Sequence, residues 1–235
     1  MRVHNEDRGQ SLVEFALISP LLLLIIAGIV TLGIGVFYQQ QLTNAAREAA
    51  RYAAIHSATS QCPTVSNLPP HLSMLPPEFV DYDCDPPSLG WPLMTAHARS
   101  NVWGINRSGV HVSACWSGFW DNDTGGYDAG PAKADGSPNE FRTCKIGGHD
   151  PQLETSELTC PAPPTTDLDD QASSLAHSAI GTANQVTVYA CYEWHPPFGG
   201  LGFPIPCPDE WCTVEIVPSV VTMRAAITES MQHQQ

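Results

Sequence analysis

Glu14 is the one carboxylate in a stretch that is otherwise uncharged from Leu12 to Tyr38. A carboxylate among Leu12, Val13, Phe15, Ala16 and Leu17 is costly to take out of water. Two readings follow: it has a partner or a function, or it lies at headgroup depth and snorkels to water. The second set of reactive side chains is eight cysteines, Cys62, Cys84, Cys115, Cys144, Cys160, Cys191, Cys207 and Cys212. All lie on one side of the apolar run, and no two have CxxC spacing. An even count of that kind reads as a disulfide framework in an oxidising compartment rather than a zinc site. Eight cysteines allow 105 pairings. Local loop closure favours Cys62 with Cys84, Cys115 with Cys144, Cys160 with Cys191, and Cys207 with Cys212.

Other candidate chemistry is sparse. Nine histidines are scattered along the chain, without HExxH, GxSxG or P-loop spacing, so the expectation is no enzyme and no cofactor. Asp121, Asp123 and Asp128 in the stretch DNDTGGYD place oxygen ligands as the start of a calcium loop does. Position five is a glycine and position twelve is Ala132, so a solvated turn explains the composition equally well. Trp116, Phe119 and Trp120 cluster before that loop, and Trp194 and Trp211 flank a Pro/Gly stretch. Exposed, they would suit a binding surface; half or more belong in a core.

The elements that must position these residues begin with the anchor. The run from Phe15 to Tyr38 has no ionised side chain and is long enough to cross a bilayer as a helix. It is too long for a signal-peptide core. Leu42 to Ala54 follows without Gly or Pro and is rich in alanine, so one helix is expected from about Ser11 to His56. Pro20 removes one hydrogen bond and is expected to kink it. Ala27, Thr31 and Gly35 recur every four residues, a spacing that lets transmembrane helices approach closely. Arg2 and Arg8 precede the run, while Arg47 and Arg51 follow it. The cysteines need the oxidising side, which sets the N-terminus inside and the C-terminus outside.

The formal charge of −14 is carried by the chain after Cys62. Such a head excludes nucleic acid as a partner, because it has no basic face for phosphates. It also argues against adhesion of the head to anionic lipid. A Pro-rich stretch between His56 and Trp91 reads as a linker. Beyond it, a helix is expected at Leu93–Ile105 and a half-buried strand at Val110–Trp116. A loop is expected from Trp120 to Pro138. A helix follows at Leu168–Ile180, with Asp167 as N-cap and Gly181 as its stop, and a strand at Gln185–Trp194. The last strands, Thr213–Val217 and Val220–Ala226, form a hairpin broken at Pro218. The fold class is α+β: a long N-terminal transmembrane and stalk helix, then a small disulfide-stapled head with a mostly antiparallel sheet of three or four strands.

The stretch RGQSLVEFALISPLLLLIIAGIVTLG, with QQLTNAAREAARYAA after it, resembles the TadE-like family of minor pilins, or pseudopilins, of tight-adherence pili. The resemblance covers about fifty residues; VVTMRAAITE near the end is a faint echo, and Cys62 to Cys212 has no counterpart. The resemblance implies a prepilin peptidase site between Gly9 and Gln10, which makes Glu14 the fifth residue of the mature chain, followed by Phe15. It implies that Glu14 meets the new α-amino group of a neighbouring subunit and sets the axial register. The organisation it implies is a leader at 1–9, the transmembrane and stalk helix at 10–56, the Pro-rich linker at 57–92 and an extracytoplasmic head at 93–235. The expected partners are other pilin subunits, the pilus assembly machinery, prepilin peptidase and the membrane. The expected location is the cytoplasmic (inner) membrane, single-pass, then a surface pilus after assembly. A membrane-tethered binding module that is never cleaved is the alternative.

Overall fold

The computed structural model describes residues 7–55, 94–128, 130–162, 184–200, 202–206, 211–215 and 217–230. The chain divides into two units, Met1–Tyr38 with His195–Val221, and Gln39–Trp194 with Thr222–Gln235. One helix, α1 (Asp7–Ile55), contributes to both. Its length follows from the uninterrupted apolar and alanine-rich sequence, and helical backbone continues through Pro20.

In the first unit, strands β5 (Gly202–Pro206) and β6 (Trp211–Glu215) form an antiparallel ribbon, with Gly202 opposite Glu215 and Pro206 opposite Trp211. Pro204 and Pro206 are two residues apart, so both missing N–H groups face the same side of β5. The other side remains free to pair with β6. Gly200, at φ 79°, turns the preceding chain and donates to the Val217 carbonyl at 3.0 Å.

The second unit holds the remainder of α1, a short helix α2 (Met94–Ser100), a 3-10 turn at Arg107–Gly109, and a five-stranded sheet. Its strands are β1 (His111–Asp121), β2 (Gly126–Asp128), β3 (Glu140–Arg142), β4 (Gln185–Trp194) and β7 (Val221–Ser230). The order is β2-β1-β4-β7, with β3 also paired to β1. β1 is antiparallel to β4 from His111↔Cys191 to Ser117↔Gln185. Its far end, Gly118 to Asp121, pairs with β2 and β3 instead. Changing partners along one strand curls the sheet.

β1 and β4 are buried on both faces, not one. Val112, Ala114, Trp116, Val186, Val188 and Ala190 form one face; Ser113, Cys115, Thr187, Tyr189 and Cys191 form the other. Cys144, Ile146 and Leu158 pack with Cys115, Tyr189 and Cys191. Two disulfides hold this layer, Cys115–Cys144 and Cys160–Cys191, two of the four pairs that local loop closure favours. The Ser117 hydroxyl accepts from the Cys144 amide at 2.9 Å, and the Tyr189 hydroxyl donates to the Thr159 carbonyl at 3.3 Å. Burial raises the Tyr189 phenol above its ordinary pKa, although Arg224 opposes this.

Several expectations are corrected. The first head helix stops at Ser100, because the Ser100 hydroxyl and Asn101 Nδ2 both donate to the His97 carbonyl and Gly104 takes φ 73°. β1 runs five residues past Trp116, and only Asn122–Gly125 turn before β2 begins. The expected final hairpin is replaced: β6 pairs with β5, and β7 is hydrogen-bonded beside β4. The linker 57–92, the helix Leu168–Ile180, Cys62, Cys84 and Cys207 lie outside the described residues.

Candidate functional site

Sequence and burial divide α1 into two stretches with different chemistry. From Leu12 to Val36 its large apolar side chains are exposed, among them Phe15, Leu17, Leu21, Leu24, Ile29 and Leu32. A helix that presents apolar side chains all round has no stable place in water, and this one is long and apolar enough to cross a membrane. Glu14 is exposed in its early turns. Gly9 and Gln10 lie in helical backbone just before it.

Ala27, Thr31 and Gly35 are half-buried, and the Thr31 hydroxyl donates to the Ala27 carbonyl at 2.8 Å. That bond satisfies the hydroxyl within its own helix, leaving this face to work by shape. A Cβ added at Gly28 or Gly33 would meet nothing within 4 Å, so the backbone is open to a neighbour there.

The second stretch, from Gln39 onward, is amphipathic in a different way. Leu42, Ala45, Ala46, Ala49, Ala50 and Ala53 are completely buried, whereas Asn44, Arg47 and Arg51 are exposed. The buried positions recur at three- and four-residue intervals, the period of one helix face. Alanines there let the helix axis approach its neighbours closely. Three contacts tie the stalk to the rest of the second unit. Gln39 Nε2 donates to the Arg224 carbonyl on β7 at 2.9 Å, and the Trp103 amide donates to Gln41 Oε1 at 3.3 Å. Tyr52 stacks on His97 of α2, with centroids 4.7 Å apart. The stalk is therefore part of the folded head rather than a rod beneath it.

The acidic turn is an ion-pair site. Asp121 accepts from the Asp123 amide and the Thr124 hydroxyl, both at 2.9 Å, and from Lys133 Nζ at 2.8 Å. Lys133 also reaches Asp123. The lysine and the backbone N–H hold the Asp121 carboxyl down at about 2. Asp128 accepts instead from Asn139 Nδ2 at 2.9 Å. The ammonium of Lys133 thus fills the place a cation would need between Asp121 and Asp123. Among the described residues no group of three or more His, Cys, Asp or Glu side chains is arranged to hold a metal.

The aromatic surface is also corrected. Trp116, Phe119 and Trp194 are buried, and Trp120 lies under the Arg142 guanidinium at 4.0 Å. Trp211 and Cys212 lie on β6. The exposed tryptophan among the described residues is Trp103, which the sequence reading did not single out.

Among the described residues one apolar helix, compatible with a single-pass membrane anchor, runs on into the alanine face that packs in an α+β head. Residues 9–51 match the family model described as TadE-like protein. The match spans both stretches of α1, and it supports a role associated with tight-adherence pili in general. No curated protein and no solved structure matches the chain.

Proposed function

We propose that this chain is a minor pilin-like subunit of a tight-adherence pilus, acting in pilus assembly or adhesion. What carries the reading is one helix with three properties. It matches the TadE-like family over residues 9–51, exposes an uncharged surface from Phe15 to Val36, and buries its alanine face in the head. Such a helix can move from bilayer to filament without exposing apolar surface to water.

In this reading prepilin peptidase cuts between Gly9 and Gln10. Both residues are helical, so the first turns must open to enter a protease cleft; terminal turns open at little cost. The product loses Arg2 and Arg8 and gains an α-amino group at Gln10. Glu14 of one subunit meets that amine on the next, and a misregistered neighbour leaves a bare charge in a low-dielectric core. Phe15 fills the adjoining space. Ala27, Thr31 and Gly35 form the close-approach face between neighbouring helices. The subunit waits in the cytoplasmic membrane with its N-terminus in and its head out, where the disulfides are stable. Its role is structural, with no catalytic step.

The test is Glu14→Ala in cells that assemble the pilus. The variant should be inserted and processed as wild type, yet be missing from sheared filaments. Normal incorporation would remove the registry role.

A further inference from the structure

Two segments of the head carry the pattern Asn-x-Ser/Thr without proline at x, Asn106-Arg107-Ser108 and Asn122-Asp123-Thr124. In an exported chain this sequon is the acceptor signal for N-linked sugar, since a transferase reads the asparagine amide together with the hydroxyl two residues on. Both asparagines lie outside the strands and are exposed. What separates them is how their polar atoms are already engaged.

The first sequon stands in a loop held at both ends by Val102 and Val110, which are completely buried. Asn106, Arg107 and Ser108 between them are exposed. Asn106 Oδ1 accepts from the Ser108 amide at 3.2 Å and from the Ser108 hydroxyl at 2.8 Å. A backbone N–H can only donate, so these bonds identify which side-chain atom is the oxygen. Asn106 Nδ2 has no hydrogen-bond partner among the described residues, so the fold does not hold the nitrogen that must react. The turn closes within three residues and needs no other part of the head to form.

The second sequon is occupied by other bonds. The Thr124 hydroxyl donates to Asp121 Oδ2 at 2.9 Å rather than to its own asparagine. Asn122 Nδ2 reaches Glu140 and Asn122 Oδ1 is reached by Arg142, each at 3.5 Å. The turn is also closed by pairing of β1 with β2, with Asp121 opposite Gly126.

We propose that Asn106 is a site of N-linked glycosylation and that Asn122 is not. The donor is a sugar carried on a polyprenyl diphosphate. Asn106 Nδ2 attacks the anomeric carbon and a C–N bond forms. The C–O bond to the diphosphate breaks, and its electron pair leaves on the phosphate oxygen. One Nδ2 proton passes to a base of the transferase. Ser108 is the recognition group, with its hydroxyl beside the reacting amide. The attached sugar is bulky and solubilising, and it stands on the same loop as Trp103, which is 65% exposed. The inference rests on the reading that the head lies outside the cytoplasm.

The test is fragment-ion mass spectrometry of peptides from the full-length protein, purified without reductant from cells that assemble the pilus, with free thiols alkylated. Wild type should carry a sugar mass on Asn106 and none on Asn122. Asn106→Gln and Ser108→Ala should each lose it completely, while Ser108→Thr keeps it. An unmodified Asn106 in protein whose Cys115–Cys144 bridge is formed overturns the proposal and leaves the exported head intact. Alkylated Cys115 and Cys144 remove the exported head and the proposal with it. Sugar on Asn122 as well overturns the selection between the two turns, and sugar that survives Ser108→Ala overturns the sequon as its cause.

Discussion

Ala49 is completely buried, with Ala45, Ala46 and Ala53 beside it on the same face, all equally buried. Ala49→Leu adds three carbon atoms where the structure leaves no solvent-accessible space. The helix must retreat or its neighbours must leave their preferred rotamers. Overpacking of this kind costs about 1–3 kcal/mol. For a chain of this size each kcal/mol lowers Tm by about 2–4 °C, so the expected loss is about 2–12 °C. Arg47 is exposed on the same helix, and Arg47→Leu places the same leucine side chain outside the packed face. The assay is thermal unfolding of the head in detergent, followed by near-ultraviolet circular dichroism. Ala49→Leu should melt earlier while Arg47→Leu stays close to wild type. Equal melting of all three would refute the packed stalk and make α1 beyond Tyr38 a free rod.

Three further outcomes are expected. Cys115 and Cys144 are 29 residues apart, and opening a loop of that length removes about 3.6 kcal/mol of stabilisation; the double Cys→Ser variant should show that loss in denaturant titrations, and an unchanged midpoint would contradict it. The Asp121 carboxyl is depressed from 3.8 to about 2, so its contribution to stability is complete above pH 3.8 and lost as pH falls toward 2. Wild-type Tm should fall across that window more steeply than that of Asp121→Asn, and parallel curves would dismiss the Lys133 pair. Glu14→Ala should leave insertion and processing intact while abolishing filament incorporation, as set out above.

The parts of the fold legible in the sequence were those with one dominant period. The uncharged run and its alanine continuation admit only a helix, and alternation over Gln185–Trp194 defines β4 with the same bounds. Where composition and geometry conflict, composition misleads. Asp121, Asn122 and Asp123 read as loop from Trp120 onward, yet β1 continues to Asp121 because β2 and β3 pair with it there. Pro204 and Pro206 lie in the Pro/Gly stretch between Trp194 and Trp211, yet both stand in β5, because a two-stranded ribbon has a free side for each missing donor. The possible calcium ligands showed their spacing but not Lys133, which lies ten residues beyond Asp123 and reaches back across the turn. The alanine-rich composition of the stalk was visible in the sequence. Its burial was not, since alanine is equally at home on an exposed helix. Trp103 gave no signal at all, because its place depends on a long-range bond to Gln41.

The central claim is that α1 is a pilin-type assembly helix rather than a passive tether. Intact-mass measurement of the protein purified from cells that carry the cognate prepilin peptidase tests it most directly. The account predicts a mature chain that begins at Gln10, lacking residues 1–9. A chain that retains Arg2, Arg8 and Gly9 in those cells would contradict it and leave a membrane-tethered binding module in its place.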